Sequence, residues 1–404
     1  MTSVSPQAKE RPAVVVAILA GLSAIGPLSI DMYLPALPEL GRELGAGASL
    51  TQLTITACVV GIALGTIAAG PTSDLLGRRR PLLAGVIGYA VASLLCVIAP
   101  SATLLIVFRL LQGFTGGCAM VIARAVVRDR HEGVAAARFF ATLIQISALA
   151  PVLAPLAGGL LLEVMPWRGL FAVISGLGVL LTLMVLWFLP ESLAPDKRDA
   201  QGPKAVLAKF GRLASDRTFA GYALTAALSF AALFTYISGS SFVIQDVYRL
   251  SPLTYSVIFA LNSAGIVVMG RISSRVVGRH GPRRILGIGL ALSSVGGLVV
   301  VTSPVAGLWT LLPGLFLVVA SVGFIVPNSV ALAISSHPPH MAGTASAFMG
   351  ATQFLFAGVA APLAGAGGAH TSTPMVLILA GLSLSALVVY RLTPVPQTAD
   401  AGES

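Results

Sequence analysis

Long apolar stretches separated by short polar connections dominate this chain. Twelve of them are about 20 residues or longer, the length a helix needs to cross about 30 Å of hydrocarbon at about 1.5 Å per residue. None shows the strict alternation of a membrane β-strand. The stretches lie at 13–36, 51–72, 81–99, 102–126, 137–162, 168–189, 218–244, 253–274, 284–302, 306–333, 342–366 and 373–391.

This pattern predicts an all-α polytopic membrane protein with twelve transmembrane helices in two six-helix bundles. Between the sixth and seventh stretches lies a long polar segment, PESLAPDKRDAQGPKAVLAKFGRLASDR, whose proline, glycine and mixed charges are typical of a linker. We therefore expect a first bundle at 1–194, a cytoplasmic linker at 195–217 and a second bundle at 218–404.

Composition supports the same class. The 404 residues are 56% hydrophobic and 10% charged, with a mean hydropathy of +0.91, which is far more apolar than a soluble domain requires. The three cysteines all lie within apolar stretches, so neither a disulfide framework nor a metal cluster is predicted. We expect no cofactor and no metal.

The net charge of +10 reflects topology rather than nucleic-acid binding. With the N-terminus inside, 21 of the 25 lysines and arginines fall in connections on the cytoplasmic side. The outer side keeps only Arg42, Arg168 and Arg249. Such an imbalance predicts that both termini are cytoplasmic, and no nucleic-acid partner is expected.

The two halves carry related sequences at matched positions. Gly65 to Arg78 reads GTIAAGPTSDLLGR, and Gly265 to Arg279 reads GIVVMGRISSRVVGR. Both segments end the second apolar stretch of their half. This repetition favours two parallel repeats related by an axis normal to the membrane.

Two opposite charges lie inside apolar stretches. Asp31 is bracketed by Pro27 and Pro35, and Arg109 lies in the fourth stretch. A charge at such a position costs about 2.5–3.5 kcal/mol. Helix geometry places Asp31 roughly 7–8 Å and Arg109 roughly 10 Å below the outer boundary. We expect a motion that separates them to let Asp31 bind a proton; the alternative is a structural ion pair.

Four motifs in order carry a family resemblance. GPTSDLLGRRR, RLLQGFTGG and APVLAPLAGG resemble the loop, fourth-helix and fifth-helix motifs of the major facilitator superfamily. SIDMYLPALPEL together with RLLQG is similar to the Bcr/CflA branch of drug:proton antiporters, which export bicyclomycin, phenicols and similar small antibiotics. The resemblance covers the whole chain and implies proton-coupling roles for Asp31 and Arg109.

The resemblance also implies a cytoplasmic gate formed by Gly70, Asp74, Gly77 and Arg78. Its glycines allow a tight reversal, and Asp74 can face a helix N-terminus or a basic residue across the halves. A second reading treats the arginines that follow only as topology anchors.

The fifth stretch contains two prolines and two glycines within nine residues. The prolines remove backbone hydrogen bonds, which favours a bend. The glycines present small surfaces, which favour close packing against another helix. The resemblance implies a hinge that limits proton leak, and an ordinary packing interface remains the alternative. The residues are Pro151, Pro155, Gly158 and Gly159.

Other polar and aromatic side chains inside the stretches are candidates for a substrate cavity. Each of the polar ones also fits an ordinary interhelical hydrogen bond, worth about 0.6 kcal/mol on average. The aromatic ones fit a drug-binding wall or a lipid-facing surface. The candidates are Tyr33, Gln112, Asn328, Gln353, Phe234 and Tyr236.

These observations predict a secondary transporter that exports small hydrophobic drugs in exchange for protons across a bacterial plasma membrane. A permease for a nutrient or metabolite on the same scaffold is the main alternative, because fold does not determine direction. An enzyme or receptor is not expected, since no nucleotide-binding, zinc-protease or nucleophile-elbow motif is present. The expected partners are a drug, protons and lipid, and a monomer is expected by analogy.

Overall fold

The structure is a computed structural model that describes residues 12–130, 133–194, 211, 213–335, 342–368 and 370–394. These residues contain helices and no strand. Twelve of the helices have 19 residues or more, as the sequence predicts.

The first half contains six of these helices. They are α1 (Pro12–Asp31), α2 (Ala48–Leu76), α3 (Arg79–Val97), α4 (Ala102–Arg130), α5 (Gly133–Leu161) and α6 (Trp167–Phe188). The second half contains the other six. They are α7 (Arg217–Phe242), α8 (Pro252–His280), α9 (Pro282–Val301), α10 (Leu308–Ser335), α11 (Ala342–Leu363) and α12 (Thr373–Leu392).

Four shorter segments continue or connect the long helices. They are the 3-10 turn Leu34–Ala36, the helix Leu37–Glu43, the π-helical turn Val243–Val247 and the helix Ser303–Ala306. The predicted linker lies mostly outside the described residues, and its boundaries stay a prediction.

The first apolar stretch departs from its predicted form. Helix α1 ends at Asp31, and two short helical segments carry the chain on to Glu43, beyond the predicted end of the stretch at 36. Pro35 and Pro38 lie in the first turns of these short segments, where a missing N–H costs nothing and the fixed φ suits the turn. The stretch is therefore broken at its acidic residue.

Several other helices are longer than predicted. Helices α2, α4 and α8 end at Leu76, Arg130 and His280, rather than at 72, 126 and 274. Their last turns carry polar or basic side chains, which hydropathy excludes although the backbone remains helical. Hydropathy therefore measures the part of a helix in hydrocarbon and not its full length.

The two halves pack in the same way. Helix α4 packs against α2 and α3, and α10 packs against α8 and α9 in the second half. Across the boundary between halves, α2 packs on α11 while α5 packs on α8. These pairs exchange under a two-fold relation, so the predicted pseudo-symmetric architecture is confirmed.

The long helices are suited to a bilayer. Ten of them meet the length and hydropathy needed to cross it on their described residues, and α5 and α11 contain the shorter apolar segments Leu149–Leu161 and Phe348–Leu363. Large apolar side chains such as Ile67 and Trp187 are 61% and 73% exposed on the outer surface of the bundle. The chain is a multi-pass membrane protein.

The bundle has two ends, which we name by their connections. The linker end holds the α2–α3 and α8–α9 turns, the end of α6 and the start of α7, and the α1–α2 end lies opposite. At the α1–α2 end, Arg42 Nη1 and Asp246 Oδ1 form an ion pair of 3.0 Å across the halves. The Ser241 hydroxyl also donates to the Leu34 carbonyl at 2.7 Å. These contacts close the bundle at that end.

Candidate functional site

Arg109 of α4 is fully buried and has partners on several elements. Its Nη2 donates to the Ser29 carbonyl at 2.8 Å, and its Nε lies 3.4 Å from the Thr54 carbonyl. Its Nη1 donates to the Gln112 side chain. The guanidinium therefore joins α1, α2 and α4 through neutral acceptors, which partly compensate its charge.

Aromatic rings complete the surroundings of Arg109. Its guanidinium carbon lies 4.3 Å from the ring centre of Tyr33 and 5.5 Å from that of Phe171. Ring faces attract a desolvated cation. We name Arg109, Ser29, Thr54, Tyr33, Gln112 and Phe171 the arginine cage.

Asp31 lies at the end of α1 and is 5% exposed. Among the described residues it forms no ion pair with Arg109 or with any other cation. Ser29 and Tyr33 are four residues apart and face Arg109, whereas Asp31 lies midway between them in sequence. One helical turn spans about 3.6 residues, so Asp31 projects toward the other face of the chain. The two charges do not pair, although the sequence predicts similar depths for them.

The second half provides the neighbours of Asp31. The hydroxyl groups of Tyr236 on α7 and Tyr255 on α8 lie within electrostatic range of the Asp31 carboxylate, without a hydrogen bond to it. Tyr236 also accepts a 3.0 Å hydrogen bond from Asn262 and stacks on Phe259 with ring centres 5.3 Å apart. We name Asp31, Tyr236, Tyr255 and Asn262 the acid niche.

The predicted cavity residues fall into different environments. Tyr33 and Gln112 belong to the arginine cage, where Tyr33 shares a 2.9 Å hydrogen bond with Thr54 and Gln112 donates to Ser93 at 2.8 Å. Asn328 is buried and donates to Ser273 at 2.8 Å. These side chains are engaged with protein partners, and their role in a substrate cavity stays a prediction.

The aromatic candidates lie inside the bundle rather than toward lipid. Phe234 is 4% exposed and Tyr236 is fully buried. The Phe234 ring lies 5.0 Å from Phe230, which in turn contacts Phe354 of α11 at 5.6 Å. Gln353 of α11, next in sequence to Phe354, is half-buried. The lipid-facing alternative for Phe234 and Tyr236 is wrong.

The predicted gate residues lie at the linker end. Arg78 donates from Nε to Asp129 at 2.8 Å and from Nη1 to Asp74. Its backbone N–H, with that of Arg79, binds the Glu191 carboxylate at 2.8 and 3.2 Å. Burial alone raises the pKa of Glu191, but these and neighbouring N–H donors hold that pKa below its usual range.

Every described partner in this network belongs to the first half. Asp74 pairs with Arg78 four residues on, rather than with a basic residue across the halves. Gly77 has a φ of 87°, which a residue with a Cβ adopts only with strain, while a Cβ at Gly70 meets open space. Asp74, Gly77 and Arg78 therefore build the α2–α3 turn, whereas Gly70 lies within α2. The gating role of all four stays a prediction.

The α5 motif lies where the halves meet. A Cβ on Gly158 would collide with the backbone carbonyl of Met32, next to Asp31, and one on Gly159 would collide with the Ser256 hydroxyl of α8. The two glycines thus let α5 touch α1 and α8 at once. Pro151 and Pro155 lie within the same helix, and hinge motion there stays a prediction.

The sequence singled out the two charges but missed much of their surroundings. Ser29, Thr54 and Phe171 of the cage, and Tyr255 of the niche, were not predicted. Ser29 contributes its backbone carbonyl, which every residue carries, so no sequence signal marked it.

Comparison with known proteins defines the family. The Major Facilitator Superfamily sequence model matches residues 19–362 and 241–404. An MFS-type transporter of Bacillus subtilis, YdgK, is 38% identical over 380 residues, covering 93% of this chain and 94% of that protein. The chain therefore belongs to the major facilitator superfamily.

Two further relatives support the more specific resemblance. The bicyclomycin resistance protein homolog of Haemophilus influenzae is 28% identical, covering 92% of this chain and 94% of that protein. Multidrug resistance protein MdtL of Salmonella typhimurium is 30% identical, covering 91% and 92%. The predicted resemblance to the Bcr/CflA branch is confirmed, and relatives of this kind are transporters rather than enzymes.

Solved structures show the same fold at low identity. The nucleoside transporter NupG superposes with a TM-score of 0.77 at 12% identity, covering 94% of this chain and 98% of that one. A bacterial homolog of the lysosomal transporter Spinster, inward-facing and occupied, gives 0.74 at 14%, covering 96% and 97%.

Proposed function

We propose that this protein exports small hydrophobic drugs across the bacterial plasma membrane in exchange for protons. Relatives named for bicyclomycin and multidrug resistance support the substrate class. The excess of Lys and Arg at the linker end supports a cytoplasmic location for that end and for both termini. The α1–α2 end then faces outward.

One observation carries the coupling mechanism: Asp31 is buried at the boundary between halves and has no cation beside it among the described residues. An ionised carboxylate in that position lacks compensation for the hydration it has lost. Binding a proton removes the charge and, with it, the free-energy cost of burying an ionised carboxylate. Moving the halves apart admits water or drug and restores the ionised form, so the proton and the drug alternate.

The tyrosines of the acid niche give this switch a connection to the second half. Tyr236 and Tyr255 are carried by α7 and α8, while Asp31 is carried by α1. Any relative motion of the halves changes the distance between the carboxyl and these hydroxyls. The charge state of Asp31 and the conformation of the bundle are therefore coupled through the same boundary.

Arg109 has a different role in this proposal. Its cage ties α1, α2 and α4 within one half, so it positions the end of α1 that carries Asp31. It acts on proton binding through the position of α1 rather than through an ion pair.

Gly158 and the α2–α3 turn support the movement that this mechanism requires. Close contact of α5 with the α1 backbone beside Asp31 lets a shift of α5 alter the acid niche. The gate network stiffens the α2–α3 turn at the opposite end. We propose a monomer, with the drug, protons and bilayer lipid as its partners.

The test is drug tolerance in a host that lacks its own efflux pumps. We expect the wild-type protein to raise tolerance to phenicols or bicyclomycin, and a protonophore to abolish the effect. Asp31→Asn should reach the membrane in equal amount but give the tolerance of the empty host. Unaltered tolerance in the presence of protonophore, or a nutrient-uptake phenotype alone, contradicts the proposal.

A further inference from the structure

A groove on the outer surface of the first half is a consequence of how three helices pack. Helices α2 and α3 both pack along α4 but contact each other little, which leaves a channel between them. Thr115 and Cys118 of α4 form its floor, and the small residues Ala68, Thr72 and Ala84 form its walls. The α2–α3 groove has a volume of about 450 Å³, within the about 300–1,000 Å³ of small-molecule sites.

The groove opens toward lipid rather than toward the boundary between halves. Its wall residues Ala68, Thr72 and Ala84 are exposed. The neighbouring side chains Ile67 and Ile87, 61% and 47% exposed, belong to the apolar outer surface of the bundle. A slot of this kind in a bilayer is filled by hydrocarbon, because water gains no hydrogen bonds there.

A cation lies at the linker end of the groove. Arg80, the second residue of α3, lines it and is exposed. Among the described residues Arg80 has no hydrogen bond and no ion pair. Its neighbours are engaged, because Arg78 binds Asp74 and Asp129, and Arg79 donates from Nη2 to the Leu186 carbonyl at 2.8 Å. Arg80 therefore offers an uncompensated positive charge.

We propose that the α2–α3 groove binds an anionic phospholipid of the cytoplasmic leaflet, with one acyl chain in the groove and the phosphate on Arg80. The apolar slot and the free guanidinium match the two parts of such a lipid. Basic sites between transmembrane helices on the cytoplasmic side are suited to anionic headgroups. The inference uses the proposed orientation but not the proposed substrate.

The test is retention of lipid by the purified full chain, measured by native mass spectrometry. The detergent-solubilised protein is incubated with equal amounts of phosphatidylglycerol and phosphatidylcholine and then partly delipidated. We expect the wild-type protein to retain phosphatidylglycerol preferentially. Arg80→Gln should lower that preference about fivefold, the effect of one basic residue near an anionic headgroup.

The matched control is Arg284→Gln. Arg284 lies in the first turn of α9, is exposed, has no described partner and does not line this groove. This variant should keep the wild-type preference. Equal preferences in all three proteins, or an equal loss in both variants, would overturn the proposal, because general surface charge then explains retention.

A second variant tests the groove itself. Ala84→Phe fills it from an exposed position, so the fold should remain intact, as an unchanged elution profile and melting temperature would show. We expect this variant to retain less of both lipids than the wild-type protein. Undiminished lipid retention would overturn the proposal. If lipid retention is undiminished but drug binding is lost, the groove is a drug entrance instead.

Discussion

The arginine cage and the acid niche hold opposite charges in opposite ways. Arg109 has three hydrogen-bond acceptors and two aromatic rings around it, all from the first half. Asp31 has no cation and no hydrogen-bond donor among the described residues, and its electrostatic neighbours Tyr236 and Tyr255 belong to the second half. One charge is held within a half, and the other lies between halves.

This difference separates two functions that a buried ion pair would combine. Neutral dipoles already compensate the charge of Arg109, so we expect its protonation state to stay constant during the transport cycle. An acid without compensation responds to any change in its surroundings. We therefore expect variants in the cage to damage structure and variants in the niche to damage coupling.

The largest effect is expected for Arg109→Ala. Removal leaves the Ser29 carbonyl and the Gln112 side-chain oxygen without their donor in a buried site, at a cost of about 1–3 kcal/mol for each group. Transport should be lost and the melting temperature should fall in a detergent thermal-shift assay. Arg109→Lys should be less severe, since it keeps the charge but loses the planar fork. A stable, active alanine variant would contradict the structural role of the cage.

The next effect is expected for Gly158→Ala. The added methyl meets the Met32 carbonyl, and because backbone must move, the cost should approach about 3 kcal/mol. Transport should fall at least tenfold with wild-type membrane insertion, measured by uptake into inverted vesicles. The control is Gly176→Ala on α6, where the added Cβ meets open space; this variant should transport like the wild-type protein. Equal activity in both variants would show that α5 does not act on the acid niche.

A smaller effect is expected for Tyr236→Phe, which removes a hydroxyl of the acid niche. Asn262 loses its acceptor, so the cost should be about 1–2 kcal/mol, and proton-coupled transport should fall several-fold. Tyr33→Phe removes a hydroxyl from the cage and leaves Thr54 with its bond to the Thr51 carbonyl. The measurement is the number of protons exchanged per drug molecule in each variant, and we expect the larger loss of coupling in Tyr236→Phe. A larger uncoupling in Tyr33→Phe would reverse our assignment of the two regions.

The smallest effect is expected for Asp246→Asn at the α1–α2 end. Asp246 forms an ion pair with Arg42, whose side chain is 69% exposed. The pair therefore contributes less than about 1 kcal/mol to the stability of the closed state. The closed state at this end should become slightly less populated, as electron–electron distances between spin labels on the two halves would show. The double variant Arg42→Asp with Asp246→Arg should restore the population of the closed state. Failure of the exchange would mean that the pair does not set this equilibrium.

The sequence predicted the helix number, their order and the two-fold repetition, because each depends on hydropathy and local motifs alone. It also identified Asp31 and Arg109, since charge in hydrocarbon is costly. The depth of both charges in the membrane stays a prediction from residue counts. Pro27 and Pro35 marked Asp31 as a place where the helix is interrupted; the interruption lies after Asp31, and α1 continues through Pro27.

The direction of each side chain could not be predicted in the same way. Hydropathy gives position along a helix but not rotation about its axis, which depends on packing between helices. Asp31 and Arg109 were predicted at similar depth, but the Ser29 carbonyl and the Tyr33 ring are the groups at the end of the first stretch that contact Arg109. The tyrosines near Asp31 come from helices more than 200 residues away in sequence, so no local pattern connects them to it.

The most direct measurement is drug-dependent proton release from purified protein in weakly buffered detergent. The account predicts about one proton released per drug bound by the wild-type protein, and no release by Asp31→Asn, which should still bind the drug. Arg109→Lys, where it folds, should keep some release. Wild-type proton release from the Asp31→Asn variant would contradict the claim that Asp31 carries the exchanged proton.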